Sequence, residues 1–215
     1  MKKILVLLLS GAIFLCACSP KGDHSSPSST PKPSKQSQAS SDSIEQDEKV
    51  YASTLDSLKK DTSEGRANLY AFYDIDGNGT KELLTGHYFK GQYYLAAIYY
   101  LNQGVSTYLA QSRVASAGGS REVTTIYTDG TVFYAQWHSL SPDAKGYLYQ
   151  LKSDNSGIDV LKEADFQIAG VDPNSESGQH TVFGTGSKKE LDLSSLKWKD
   201  IENYQATTSV GNQKE

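Results

Sequence analysis

The sequence predicts a mainly β domain (α+β) with one amphipathic helix at its N-terminal side. The expected strand arrangement is an antiparallel meander, in a single sheet, a sandwich or a partly open barrel. Three observations carry this. Apolar residues recur at helical spacing only between Ile44 and Leu58, and from Gly65 onward they form short runs of Tyr, Val, Leu and Ile broken by turn residues. Those runs are separated by connections too short for parallel crossovers. The stretch 44–205, about 160 residues, is long enough to bury one core.

Ahead of that domain, Lys2 and Lys3 precede the apolar run Ile4 to Leu15. A dozen residues cannot span a bilayer, which needs ~20, so residues 1–17 read as a secretory signal peptide. Leu15-Cys16-Ala17-Cys18 resembles the bacterial lipobox, with an apolar residue at −3 and a small residue at −1. The resemblance implies cleavage after Ala17 and a diacylglyceryl thioether on Cys18. Cys16 would need bulky Leu15 as its −1 residue and is the poorer acceptor. Cleavage and lipidation together consume both cysteines, which excludes disulfides, thiolate metal sites and a cysteine nucleophile. Two acyl chains would anchor the chain durably to the outer face of the membrane.

Residues 18–43 follow as a tether. Ten Ser and four Pro within 19–43 leave almost no apolar side chain to bury. A coil of that length reaches on the order of 25–30 Å.

The helix is expected from Ile44 to Lys60, with Ile44, Tyr51, Leu55 and Leu58 on its apolar stripe. Ser43 with Gln46 resembles a capping box. Strands are expected at Leu69–Asp74, Glu82–Phe89, Gln92–Leu101, Val105–Arg113, Glu122–Thr128, Thr131–His138, Gly146–Lys152 and Ile158–Leu161. Asp129-Gly130 predicts a two-residue type I′ hairpin with Ile126 and Phe133 in the flanking strands. Lys90-Gly91, Asn102-Gln103-Gly104 and Asn155-Ser156-Gly157 predict further hairpins, and Gly118-Gly119 a longer mobile connection. Tyr93 to Leu101 is apolar on both alternating faces and must be covered on both sides. At the end, Leu191, Leu193, Leu196, Trp198 and Ile201 read as a strand end and an irregular closing segment, with Trp198 a core anchor. Residues 206–215 are polar and expected to fray.

One segment carries recognisable chemistry. Asp74-Ile75-Asp76-Gly77-Asn78-Gly79-Thr80-Lys81-Glu82 reads D-x-D-x-N-G-x-x-E. Carboxylates spaced two apart around a glycine turn can converge on one hard cation, and the absence of His and Cys favours Ca²⁺ over Zn²⁺. Expected ligands are the side chains of Asp74, Asp76, Asn78 and Glu82 and the carbonyl of Thr80. The rival reading is a set of Asx turns joining two strands. The first positions resemble an EF-hand loop, but position 12 is Thr85 where that family has a bidentate glutamate. The shorter loops of integrin-type β-propellers are similar in ending on an acid at position 9, where Glu82 stands. Tyr70 through Leu84 also resembles a motif recurrent in streptococcal and other Firmicutes surface lipoproteins, a resemblance that implies a Gram-positive cell surface and a calcium loop but no activity.

Enzyme signatures are thin. G-x-S-x-G, H-E-x-x-H, P-loop and Rossmann patterns do not occur, and His87, His138 and His180 lack metal-ligand spacing. Loss of Lys2 and Lys3 takes the net charge from −4 to −6, which argues against nucleic acid. The fourteen tyrosines suit half-buried sheet positions, with a glycan-stacking face the alternative. The expectation is a lipid-anchored extracellular lipoprotein, a non-catalytic binding or interaction module for an envelope protein or glycan, with structural calcium. The alternative is a cell-envelope hydrolase of peptidoglycan or glycan with dispersed carboxylates, which leave no local signature.

Overall fold

A computed structural model describes residues 44–115, 119–168 and 178–206. The signal peptide, Cys18, the tether with its cap residue Ser43, Gly118 of the Gly118-Gly119 connection and the tail beyond residue 206 lie outside the described residues.

The chain is helical over residues 44–50 (α1), turns at Tyr51, and continues as α2, Ala52–Lys60. Tyr51, Leu55 and Leu58 of the expected stripe are the residues that pack. Tyr51 and Leu55 are buried with Tyr70, Leu83, Ile201 and Tyr204, and Leu58 lies against them. Lys59 and Lys60 close the last turn, where cations suit the helix dipole, and Lys59 Nζ donates to Tyr204 O at 2.6 Å.

Ten strands follow. β1 is Leu69–Tyr73, β2 Glu82–Phe89, β3 Gln92–Asn102, β4 Val105–Gln111, β5 Arg113–Val114, β6 Ser120–Ile126, β7 Thr131–His138, β8 Asp143–Leu151, β9 Ile158–Gln167 and β10 Lys199–Asp200. They form two five-stranded sheets in the orders β10-β1-β2-β3-β4 and β5-β6-β7-β8-β9. All pairings are antiparallel and neither sheet closes into a barrel. The mainly β meander is therefore as expected, divided between two sheets. A short helix, α3, Gly178–Phe183, packs Phe183 on the second sheet.

The division falls inside the expected strand Val105–Arg113, which is a correction to the sequence reading. At Ser112 the chain leaves one sheet for the other, and this residue belongs to both. Its N–H donates to Ala96 O at 2.7 Å, and its Oγ accepts the Thr124 N–H at 3.0 Å. No turn residue marks the spot, because the backbone stays extended through the switch.

Tyr93 to Leu101 lies in β3 and is covered on both faces from Leu95 onward, while Tyr94 at its start is exposed. Tyr99 and Leu101 face the helix, while Ile98 and Tyr100 join Leu84, Ile126, Val132 and Leu151 in a core shared by the two sheets. Trp198 packs on that core, stacks on Tyr93 at 5.7 Å and donates its indole N–H to Leu193 O at 2.8 Å.

Tyr127 N–H donates to Thr131 O and Gly130 N–H to Tyr127 O, and only Gly130 of the Asp129-Gly130 pair has positive φ, +86°. The connection is a type I turn ending in a left-handed glycine, not the type I′ turn expected. Asp129 instead stays at negative φ with its carboxylate on the Thr131 N–H and hydroxyl. Ile126 and Phe133 do lie in neighbouring strands, β6 and β7. Type I′ geometry occurs at Lys90-Gly91 and Gln103-Gly104, where both residues have positive φ and the flanking pairs are Phe89↔Gln92 and Asn102↔Val105.

Candidate metal centre

The loop 74–82 joins β1 to β2, which are hydrogen-bonded neighbours in register at Tyr73↔Glu82. It is a hairpin loop between adjacent strands, not the crossover that two separate strands would have needed. Glu82 is the first residue of β2, so strand alternation decides its direction. Leu83 packs toward the helix, and Glu82 is wholly buried, turned back beneath the loop.

There it meets the two aspartates. One carboxylate oxygen each from Asp74, Asp76 and Glu82 lies within 4.8 Å of the others. Calcium–oxygen bonds of about 2.3–2.6 Å place two ligands of one ion at most about 5 Å apart, so this spacing suits a shared cation. Backbone donors hold the aspartates in place. Asp74 accepts from Asn78 N–H at 3.1 Å and Gly79 N–H at 2.9 Å, and Asp76 accepts from Asn78 N–H at 3.2 Å. Gly79 supplies the sharp turn, at φ +90°.

Glu82 is the informative member. Its Oε2 accepts the Ile75 N–H at 2.8 Å, while Oε1 is buried without a hydrogen-bond partner among the described residues. Burial, reinforced by the charges of Asp76 and Asp74, pushes its carboxyl up to about 8 against the Ile75 hydrogen bond. Asp76 is also raised, first by burial and then by Asp74. Lys81, next in sequence, is committed elsewhere: its Nζ pairs with Asp47 at 2.5 Å, and its carbonyl accepts the Tyr51 hydroxyl at 2.9 Å. A buried carboxylate with one bare oxygen, facing two more carboxylates, is costly unless a cation or a proton joins it.

The expected ligands are thus partly assembled. Asp74, Asp76 and Glu82 converge. Asn78 is beside them with its amide turned so that Nδ2 donates to Asp76 at 3.0 Å and Oδ1 accepts the Thr80 N–H at 2.7 Å. Ligation through Oδ1 would require half a turn of that amide. Thr80 contributes its hydroxyl to Asn155 Nδ2 at 3.1 Å. Thr85, position 12 of an EF-hand, is buried within β2 with its hydroxyl toward Ala97 O, and strands rather than helices flank the loop. The nine-residue reading of the loop is the one the geometry accommodates.

Sequence reasoning missed the second loop at this site. Asn155, in the β8–β9 turn, was legible only as a hairpin residue, since nothing local ties it to a segment 75 residues earlier.

The other features are separate. A groove of about 660 Å³ at one end of the second sheet is lined by Trp137, His138, Asp143 and Asp165 among others. His87 lies in β2 and His180 in α3, so the histidines stay apart. Tyr134, Tyr147 and Tyr149 stack on one another at 6.1 and 5.6 Å with ring planes 22° and 12° apart.

No protein-family model matches the chain, and no curated protein or solved structure matches it either.

Proposed function

We propose that the chain is a lipid-anchored extracellular surface lipoprotein whose domain is a non-catalytic binding or interaction module built around a structural Ca²⁺. One observation carries the calcium reading: Glu82 is wholly buried with Oε1 unpartnered and faces Asp74 and Asp76. The set is all-oxygen and hard, as calcium prefers. The ion would tie β1 to the start of β2 by bridging three carboxylates and offsetting two of their three charges. The anchoring reading rests on Leu15-Cys16-Ala17-Cys18 and the Ser/Pro-rich stretch after it. With the affinity usual for extracellular modules, ~10⁻⁴ to 10⁻³ M, millimolar calcium would stabilise the domain by ~0.5–1.5 kcal/mol.

The test is calorimetric titration of calcium into chelator-treated protein, with melting followed in parallel for wild type and Asp76→Ala. A calcium-dependent rise in melting temperature in the wild type alone is expected. No binding in the wild type, or an equal rise in both, would leave the loop as a set of Asx turns.

A further inference from the structure

The acidic loop does not stand on its own sheet alone. The β8–β9 turn of the second sheet reaches it through Asn155. Asn78 Nδ2, which touches Asp76, also lies 3.3 Å from Asn155 Oδ1 and 3.3 Å from Ser153 O. In the other direction Asn155 Nδ2 donates to Thr80 Oγ1 at 3.1 Å. The Asn155 carbonyl accepts the Gln103 N–H at 2.7 Å, which brings in the β3–β4 turn. The β6–β7 turn backs onto the same place, since a Cβ on Gly130 would sit 3.1 Å from Ile75 O and 3.5 Å from Asp76 Cα. Two turns of the second sheet thus meet the acidic loop, and the β3–β4 turn of the first sheet is linked to it through Asn155.

We propose that Asn155 is a positioning residue for the calcium loop, holding the loop backbone through the side chains of Asn78 and Thr80, with Asp74, Asp76 and Glu82 as the ligands, so that ion binding and the docking of the two sheets reinforce one another. The inference rests on the calcium reading above and adds to it what the ion does for the fold. Asn155 has φ +55°, a left-handed conformation that asparagine tolerates better than most residues and glycine better still. A glycine there would serve the turn equally well. What asparagine adds is an amide that accepts from one loop residue and donates to another. Ordering Asn78 and Thr80 against Asn155 therefore orders the backbone that presents Asp74, Asp76 and Glu82. Coupling of this kind is reciprocal, so calcium must in turn tighten the turn that carries Asn155.

Asn155→Gly separates the two roles, because it keeps the backbone conformation and removes the amide. Calcium chloride is titrated calorimetrically into chelator-treated full-length mature wild type and Asn155→Gly, and hydrogen exchange of the Gln103 amide is followed with and without calcium. Affinity is expected to fall about tenfold in the variant, as when a partner that orients a metal ligand is lost. Calcium is expected to slow exchange at Gln103 in the wild type but not in the variant. Equal affinity in the two proteins, or Gln103 exchange indifferent to calcium in the wild type, overturns the coupling while leaving the calcium site standing. A wild type that binds no calcium overturns the calcium reading and this inference with it.

Discussion

Replacing Glu82 by Gln should stabilise the calcium-free domain while abolishing its response to calcium. Two effects of opposite sign meet at this one side chain. In the unfolded chain the carboxyl titrates near 4.5, and in the folded domain burial and the neighbouring aspartates push it up to about 8. Near pH 7.5 the calcium-free native state must therefore hold a proton, or a buried charge, that the unfolded state does not. At ~1.4 kcal/mol per unit the cost is on the order of 4 kcal/mol. Glutamine is nearly isosteric and removes that cost. Its Oε1 can accept the Ile75 N–H as Glu82 Oε2 does, and its amide hydrogens would point toward Asp74 and Asp76. Allowing for imperfect hydrogen bonds, a net gain of about 2 kcal/mol remains. For a domain of this size that raises the melting temperature by roughly 4–8 °C.

The assay is thermal unfolding by circular dichroism, in chelator and in millimolar calcium, for wild type, Glu82→Gln and Asp76→Ala. In chelator the glutamine variant should melt above wild type. With calcium its melting temperature should not move, because an amide supplies neither the charge nor the second oxygen. A glutamine variant that melts below wild type in chelator would mean that Glu82 is satisfied without an ion. A calcium response retained in that variant would mean that the ion sits elsewhere.

Because the folded-state value of Glu82 is raised, the native state binds more protons than the unfolded state between about pH 4.5 and 8. Stability in chelator should therefore fall as pH rises through that window, and Glu82→Gln should lack this component of the slope. Gly130→Val should destabilise the domain by about 2–4 kcal/mol, since it combines φ +86° with a Cβ 3.1 Å from Ile75 O. Unchanged denaturant midpoints would contradict that packing. Cys18→Ala should leave an uncleaved precursor or release the protein into the medium, read by fractionation and mass spectrometry; a mature, lipid-modified product from that variant would refute the anchor assignment.

What could be read from the sequence follows the range of the forces involved. Strands β2 and β7 start and end where their alternation and turn residues put them, because both signals are local. The turns at Lys90-Gly91 and Gln103-Gly104 are likewise encoded within two residues. β9 runs to Gln167, well past Leu161, although Lys162-Glu163-Ala164-Asp165 reads as loop. It is held by pairing with β8, where Lys145 meets Glu163 at 2.5 Å and Phe166 lies opposite Ala144. β10 and β5, two residues each, exist only because a partner strand is present. The type I′ expectation at Asp129-Gly130 failed for a similar reason, since the Asp129 carboxylate bonds Thr131 and Lys188, the latter 59 residues away.

The acidic loop shows the same limit at a functional scale. Spacing alone placed Asp74, Asp76 and Glu82 together, because the eight residues between the paired Tyr73 and Glu82 leave few ways to arrange them. Spacing could not show that Glu82 lies under the loop with a bare oxygen, since that depends on β2 burying Leu83 against the helix. Nor could it show that the loop meets the second sheet. The shared apolar core lies between the sheets, but at its edge the contact becomes polar, made by Asn78, Thr80, Asn155 and the backbone of Gln103. Part-buried polar contacts of this kind contribute little net free energy each, about 1 kcal/mol. A divalent ion that fixes one side of that edge orders several of them at once. On the proposed calcium reading, the ion's leverage on this domain would come as much from where the loop sits as from the strength of its ligands, and a weak site there would still bear on how the two sheets dock.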